Sequence, residues 1–231
     1  FVGFGGFGSS NNYAQSGNAG YVFGSNKIDK FDFTTQTVSN VVANNSIINS
    51  GITAITANDG KIFLFGGSGH LRSVYVFNPA DNSLVQFGNN ILPYDLSNAP
   101  GVFDPSANKA YLVSYGTTSP PTLKVLTLVL NSGSSPSLNT FTINGISSAS
   151  RLTLRNNYLY INSVIFPRLY HMDITDSSHL ISSTTGSTSF GSLSKGIFTF
   201  INDELYAINS PQKMLFKSAV DGLNVSAPQS I

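Results

Sequence analysis

Short runs of alternating apolar and polar residues fill the 231-residue chain, each closed by a cluster of Asn, Asp, Gly, Pro or Ser. The period of two predicts antiparallel strands, and the clusters predict tight turns. Five runs centre on an aromatic: YVFGS at Tyr21, IFLFGG at Ile62, AYLVSY at Ala110, YLYINS at Tyr158 and LYAINS at Leu205. The aromatic anchors Tyr21, Phe63, Tyr111, Tyr160 and Tyr206 recur at spacings of 42, 48, 49 and 46 residues. Their mean, about 46, is one fifth of the chain, so five units cover its length.

Each anchor strand has the same neighbours. An apolar strand and a polar turn precede it, as in ITAIT with Asn58-Asp59-Gly60, or RLTL with Asn156-Asn157. A third strand follows: KIDKFDF, SVYVFN, LKVLTLVL, RLYHMDI or KMLFKSA. Four of these place an apolar residue four positions before a small polar one: Ile28/Asp32, Val74/Asn78, Leu169/Asp173 and Met214/Ser218. A fourth strand closes the unit: TVSNVV, SLVQF, LNTFTI, HLISS or LNVSA. Four antiparallel strands per repeat predict an all-β, five-bladed β-propeller with four strands per blade. A single domain over 1–231 is expected, with blades near 1–46, 47–92, 93–142, 143–190 and 191–231. The first unit is expected to open with FVGFGGFG, and closure to rest on packing of the first blade against the last. Starting at Phe1, the chain is expected to be a mature form or an excerpt of something longer.

The segment KIFLFGGSGHLRSVYVFNPADNSLVQF, Lys61 to Phe87, resembles a kelch repeat. Gly66-Gly67 ends its second strand, and VYVFNPADNS resembles the kelch third strand and turn. In the other units the glycine pair becomes Gly24-Ser25, Ser114-Tyr115, Asn162-Ser163 and Asn209-Ser210, and the chain has no Trp. The resemblance implies a propeller with a ligand-binding face and no particular activity.

Charge changes the picture more than length does. Only 10% of residues are charged, twelve basic against eleven acidic, and Glu occurs once, at Glu204. The wet surface must therefore be built from hydroxyls and amides, and the residues that favour long helices are scarce. Near-zero net charge without basic clusters argues against nucleic acid as a partner. The 41% hydrophobic content suffices for a core, and no apolar run approaches the ~20 residues of a membrane-spanning helix. There is no cysteine, hence no disulfide framework and no thiolate zinc site. An uncharged, hydroxyl-rich surface is expected of an extracellular or particle-surface protein.

In a propeller, turns between first and second and between third and fourth strands share one face. Here these are mostly tight, apart from 131–137. The opposite face takes the variable loops: 25–26, 68–73, 115–122, 164–168 and 210–212, with blade connections 44–51, 88–100 and 184–195. Binding residues favour loops on a rigid scaffold, so the ligand is expected there. The candidate ligand-binding residues are Lys27, His70, Arg72, Tyr94, Tyr115, Phe166 and Arg168. Tyr rings can stack on sugars or anchor a protein partner, and the arginines can grip a carboxylate or sulfate. Each can equally be a solvated loop residue.

Sharper chemistry is not found. Gly3 to Gly8 matches G-x-G-x-x-G, but Ser9-Ser10-Asn11-Asn12 follows where a dinucleotide site needs a helix. His70, His171 and His179 form no metal motif, and His171 is read as a packed or surface strand residue. A glycosidase needs two convergent carboxylates. Most acids here occupy turns, and Asp32 and Asp173 share one repeat position, which suggests a structural role. No catalytic residue, metal or cofactor is therefore expected. The leading expectation is a recognition module binding glycan or a receptor protein. A structural or assembly domain of a larger extracellular or fibre protein is the alternative, and a secreted glycoside hydrolase is a third.

Overall fold

The computed structural model describes residues 12–88, 90–115, 122–130, 137–144, 146, 149, 151–163, 168–178, 180–183, 197–201, 204–209, 214–221, 224–225 and 229–230. All regular structure there is strand, in chain order. The first sheet holds β1 (Tyr13–Ser16), β2 (Ala19–Gly24), β3 (Lys27–Asp32) and β4 (Thr37–Val42). The second holds β5 (Ile52–Thr56), β6 (Ile62–Gly66), β7 (Val74–Asn78) and β8 (Ser83–Gly88). The third holds β9 (Gly101–Asp104), β10 (Lys109–Tyr115), β11 (Thr122–Val129) and β12 (Leu138–Asn144). The fourth holds β13 (Arg151–Arg155), β14 (Tyr158–Ser163), β15 (Arg168–Asp173) and β16 (Ile181–Ser183). The last holds β17 (Ile197–Ile201), β18 (Glu204–Asn209), β19 (Met214–Asp221), β20 (Asn224–Val225) and β21 (Gln229–Ser230).

Four sheets are thus four-stranded antiparallel blades, and the expectation of five equal blades is corrected at the C-terminal end. There β20 is two residues long and pairs only Val220 and Asp221, at the far end of the eight-residue β19. The middle of that edge, Phe216 and Lys217, is paired by β21 instead, making five strands. The third sheet runs to Asn144, past the expected boundary at 142. Residues 1–11, including FVGFGGFG, lie outside the described residues; the first strand of the first sheet begins at Tyr13.

The chain divides into two compact units. One holds the described residues up to Ser114 together with Leu126–Asn139; the other holds the described parts of Tyr115–Val125 and Thr140–Ile231. In the first unit, β1 neighbours β5 and β5 neighbours β9; in the second, β13 neighbours β17. First strands thus lie beside first strands. Fourth strands lie outermost: Val38 of β4 is 70% exposed and Val85 of β8 is 57% exposed.

Two apolar layers in the first unit join its blades. Between the first and second sheets, Tyr21, Phe23 and Ile28 meet Ile62, Leu64, Tyr75 and Phe77. Phe77 stands edge-on to Tyr21 at 5.4 Å and to Phe23 at 5.9 Å between ring centroids, the preferred aromatic geometry. Between the second and third sheets, Phe63, Phe65, Val74 and Val76 meet Ala110, Leu112, Leu126 and Leu128. Anchors Tyr21, Phe63, Tyr111 and Tyr160 are buried, while Tyr206 is half-buried, its hydroxyl donating to Glu204 Oε2 at 2.8 Å.

Pairing register refines the repeat. Tyr21 faces Lys30, Phe63 faces Val76, Tyr160 faces His171 and Tyr206 faces Lys217. By that rule the last blade's equivalents of Val74 and Asn78 are Leu215 and Ala219, so the Met214/Ser218 pairing is one residue out of step. A β-bulge follows Ile28 and its equivalent Val74. It sets Val41 and Phe87 out of the fourth-strand alternation and into the layers between blades; Phe87 reaches Phe63 at 5.2 Å.

The repeated turn acids have a structural task. Asp32 Oδ1 accepts the Thr34 and Thr35 N–H groups, and Asp173 Oδ1 accepts the Thr175 N–H and hydroxyl. Asn78, at the same position, accepts the Ala80 N–H at 3.2 Å. These local bonds mimic a backbone turn. Hydrogen bonds from Thr35 and Thr34 hold the Asp32 carboxyl below its usual range, and those from Thr175 do the same for Asp173. Bonds from Ser83 lower Asp81. A carboxyl lowered by folding contributes stability above its unfolded pKa and loses it as pH falls through the lowered folded value. Stability is therefore expected to drop below pH ~4. A D32N/D81N/D173N variant, which keeps the acceptors, should show a flatter acid limb in denaturant titrations between pH 2.5 and 7. Identical limbs would show that these turns do not couple to folding.

Candidate binding face

The variable-loop face is built in the first unit by loops that hydrogen-bond from blade to blade. The β2–β3 turn, Ser25-Asn26, has φ of 53° and 62°, the two left-handed residues of a tight hairpin. Asn26 N–H donates to the Ile48 carbonyl at 2.7 Å, and Asn45 N–H donates to the Asn26 carbonyl at 2.8 Å. That ties the turn to the connection leading into the second blade. Ile48, fully buried, plugs the layer beneath.

The connection is tied onward. Ser68 N–H donates to the Ser50 carbonyl at 2.9 Å, the Asn49 side-chain amide donates to the Ser68 carbonyl, and Asn98 N–H donates to the Gly51 carbonyl at 2.8 Å. The loop after β6 is then locked to the next connection. Gly67 N–H donates to the Leu96 carbonyl at 3.0 Å, Leu96 N–H to the Leu71 carbonyl at 2.8 Å, and Leu92 N–H to the Arg72 carbonyl at 3.1 Å. Thr53 Oγ1, fully buried, donates to the Ala99 carbonyl at 2.7 Å.

Gly66-Gly67 makes this close approach feasible. Their φ values are 65° and 99°, left-handed backbone that side chains disfavour. A Cβ on Gly66 would stand 2.0 Å from the Leu96 carbonyl oxygen, and one on Gly67 would stand 2.7 Å from Ile52 Cγ1. The glycine pair is a seat for the Leu96 backbone.

The sequence-predicted residues fall into three groups. His70 and Arg72 share the locked loop. His70 is half-buried, its ring edge-on to Tyr75 at 5.8 Å and its Nδ1 3.4 Å from the Tyr75 hydroxyl. Arg72 is exposed, but its Nε donates to the Leu92 carbonyl at 2.6 Å, so it also clamps the loop to the connection carrying half-buried Tyr94. Lys27 follows the Ser25-Asn26 turn, with its ammonium 2.6 Å from Asp29 Oδ2. Hydrogen bonds from Lys27 and Asn40 hold the Asp29 carboxyl below its usual range. Tyr115 ends β10 and Arg168 opens β15 opposite Ser163; their side chains and all of Phe166 lie outside the described residues.

Four asparagines of these loops were not among the ligand-binding candidates. Asn26, Asn44, Asn90 and Asn98 are exposed, with φ of 62°, 55°, 53° and 52°. The available signal was Asn within turn clusters, since Asn tolerates left-handed backbone better than most residues. His171, by contrast, is buried between Tyr158 and Tyr160, at 6.0 and 6.3 Å, and burial lowers its pKa. It is a packed residue. Among the described residues no three His, Cys, Asp or Glu gather as a metal-binding group, and no helix is long and apolar enough to cross a membrane.

The opposite face is tied by short side-chain bonds. Ser16 Oγ donates to the Gly60 carbonyl at 2.6 Å, and Asn58 Nδ2 donates to the Pro105 carbonyl at 2.8 Å. Its turns also use left-handed asparagines: Asn82, between β7 and β8, has φ of 57°, and Asn108, between β9 and β10, has φ of 50°.

No family model and no curated protein matches the sequence. Solved structures match the fold. A chain of a nidogen/laminin complex superposes with TM-score 0.62 at 11% identity, covering 91% of this chain and 75% of its own. An auxiliary nutrient binding protein from Bacteroides thetaiotaomicron gives 0.60 at 12% identity, covering 97% and 57%. PorZ, a bacterial surface component of the type-IX secretion system of Porphyromonas gingivalis, gives 0.61 at 9% identity, covering 94% and 33%. This chain therefore spans just over half of the second and a third of the third. At these identities the likeness shows the fold alone: an all-β propeller arrangement of antiparallel, mostly four-stranded sheets.

Proposed function

We propose that this chain is a non-enzymatic recognition module of a cell or particle surface, binding a glycan or a receptor protein through its variable-loop face. The observation that carries this reading is the loop lattice of the first unit, in which backbone hydrogen bonds run from Asn26 through Ile48, Ser50 and Gly51 to Ser68, Leu96 and Asn98. Such locking spares a binding surface the ordering cost that flexible loops incur. The nidogen/laminin and PorZ neighbours lend the reading support as proteins of a complex and of a bacterial surface. The low charge content fits a ligand met by shape and hydrogen bonds.

A second reading, an assembly domain, draws on the outer strands. Their exposed Val38 and Val85 stand on sheet edges that another strand can pair. A glycan array and a panel of cell-surface ectodomains, probed at 50 and 300 mM salt, separate the two. Recognition predicts a saturable partner whose affinity changes less than about threefold with salt, as expected without long-range attraction. Self-association without any such partner would favour assembly. Steep salt dependence would contradict the uncharged recognition surface.

A further inference from the structure

We infer that the ligand of the variable-loop face is a neutral oligosaccharide, recognised by side-chain amides and hydroxyls held on locked backbone. The inference rests on the recognition reading above and narrows its ligand class. Three observations select among glycan, acidic glycan and protein.

The first is what the face exposes. Ser25, Asn26, Asn44, Ser68, Asn90 and Asn98 are all exposed in its loops. Asn offers two donors and an acceptor and Ser one donor with two lone pairs, which matches vicinal sugar hydroxyls that both give and take hydrogen bonds. The second is what the face lacks. The exposed large apolar residues among those described are Val22, Phe31, Val38, Val85 and Leu180, and none lies in these loops. A protein partner is usually gripped by a buried aromatic or aliphatic centre within a polar rim, and the described loops of the first unit expose no large apolar residue to make one.

The third is how its cations are used. Sialic or sulfated sugars call for a cation able to fork onto the anion. The Lys27 ammonium is already 2.6 Å from Asp29, and Arg72 Nε is committed to the Leu92 carbonyl. The Lys27 ammonium is thus already partnered and Arg72 is pinned through its Nε, with only its terminal nitrogens left to face a ligand, so the described loops gather no cluster of cations around one anion.

The left-handed asparagines make the inference testable without unfolding the loops. Asn44→Gly and Asn98→Gly keep the backbone conformation, φ 55° and 52°, while removing the amide. The probe is a paired array: neutral mannose, glucose and N-acetyllactosamine oligosaccharides beside the sialylated and sulfated forms of the same backbones. The expected result is binding to a neutral member, with no gain from its acidic forms. N44G and N98G should weaken it roughly threefold to tenfold each, the worth of one hydrogen bond, with unchanged melting temperature. Preference for an acidic form, or unchanged affinity in both variants, overturns the inference while leaving loop-face recognition standing. A protein ligand from the ectodomain panel whose binding N98G abolishes does the same. Silence on array and panel alike overturns both.

Discussion

Replacing Gly66 by alanine is expected to cost roughly 2–4 kcal/mol and to release the loop lattice. Two penalties add at this position. The backbone is left-handed at φ 65°, and the new Cβ would meet the Leu96 carbonyl oxygen at 2.0 Å and its carbon at 2.8 Å. These are backbone atoms, so no side-chain rotation relieves the contact. Gly17 separates the two penalties: its φ is 56°, but nothing lies within 4 Å of a Cβ built there. Gly17→Ala should therefore cost only the conformational part, about 1–2 kcal/mol. Urea denaturation of both variants measures the difference. Equal costs would mean that Leu96 does not press on Gly66 in solution.

The second large effect is in the layer between the first two blades. Phe77→Ala should destabilise by about 3–5 kcal/mol, the range for buried aromatic truncation. Phe77 is fully buried and contacts both Tyr21 and Phe23 edge-on. Phe31 holds the same repeat position in the first sheet, since Gly20 pairs with Phe31 as Ile62 pairs with Phe77. Yet Phe31 is 37% exposed, and Phe31→Ala should cost about 1 kcal/mol or less. Comparable losses would indicate that the two positions are equally covered and the layer is misplaced.

That contrast shows how far the sequence was legible. Aromatic anchors and turn clusters located each sheet, because period-two patterning and left-handed Asn and Gly are local properties. Burial of Tyr21, Phe63, Tyr111 and Tyr160 followed from their apolar flanks. Pairing across strands is not local. The bulges after Ile28 and Val74 break the alternation of the fourth strands, and the one-residue offset in β19 shows only against β18. The short β20 with β21 behind it likewise depends on which backbone groups of β19 remain unpaired.

The candidate face was legible as loops and less so as chemistry. Connections 44–51 and 88–100 stood out by length and composition, and the structure interlocks them. Residue types alone did not show what else the charged candidates hold. Lys27 is drawn to Asp29 two residues along its own strand, and Arg72 supports a neighbouring carbonyl. The period of two puts Asp29 on the same strand face as Lys27, but the Leu92 carbonyl lies twenty residues beyond Arg72, where no spacing rule signals it. Gly66-Gly67 was noticed as a motif, but its purpose required Leu96, thirty residues onward.

The most direct test of loop-face recognition compares the two faces on one partner. His70→Ala and Asn98→Gly alter the loop lattice side; Asn58→Gly and Asn82→Gly alter the tight turns opposite. All four would be titrated by calorimetry against the glycan or ectodomain retained from the screens, with melting temperatures recorded alongside. Recognition by the loop face predicts weakened binding in the first pair and wild-type affinity in the second. Wild-type affinity in the first pair with loss in the second would place the ligand on the opposite face.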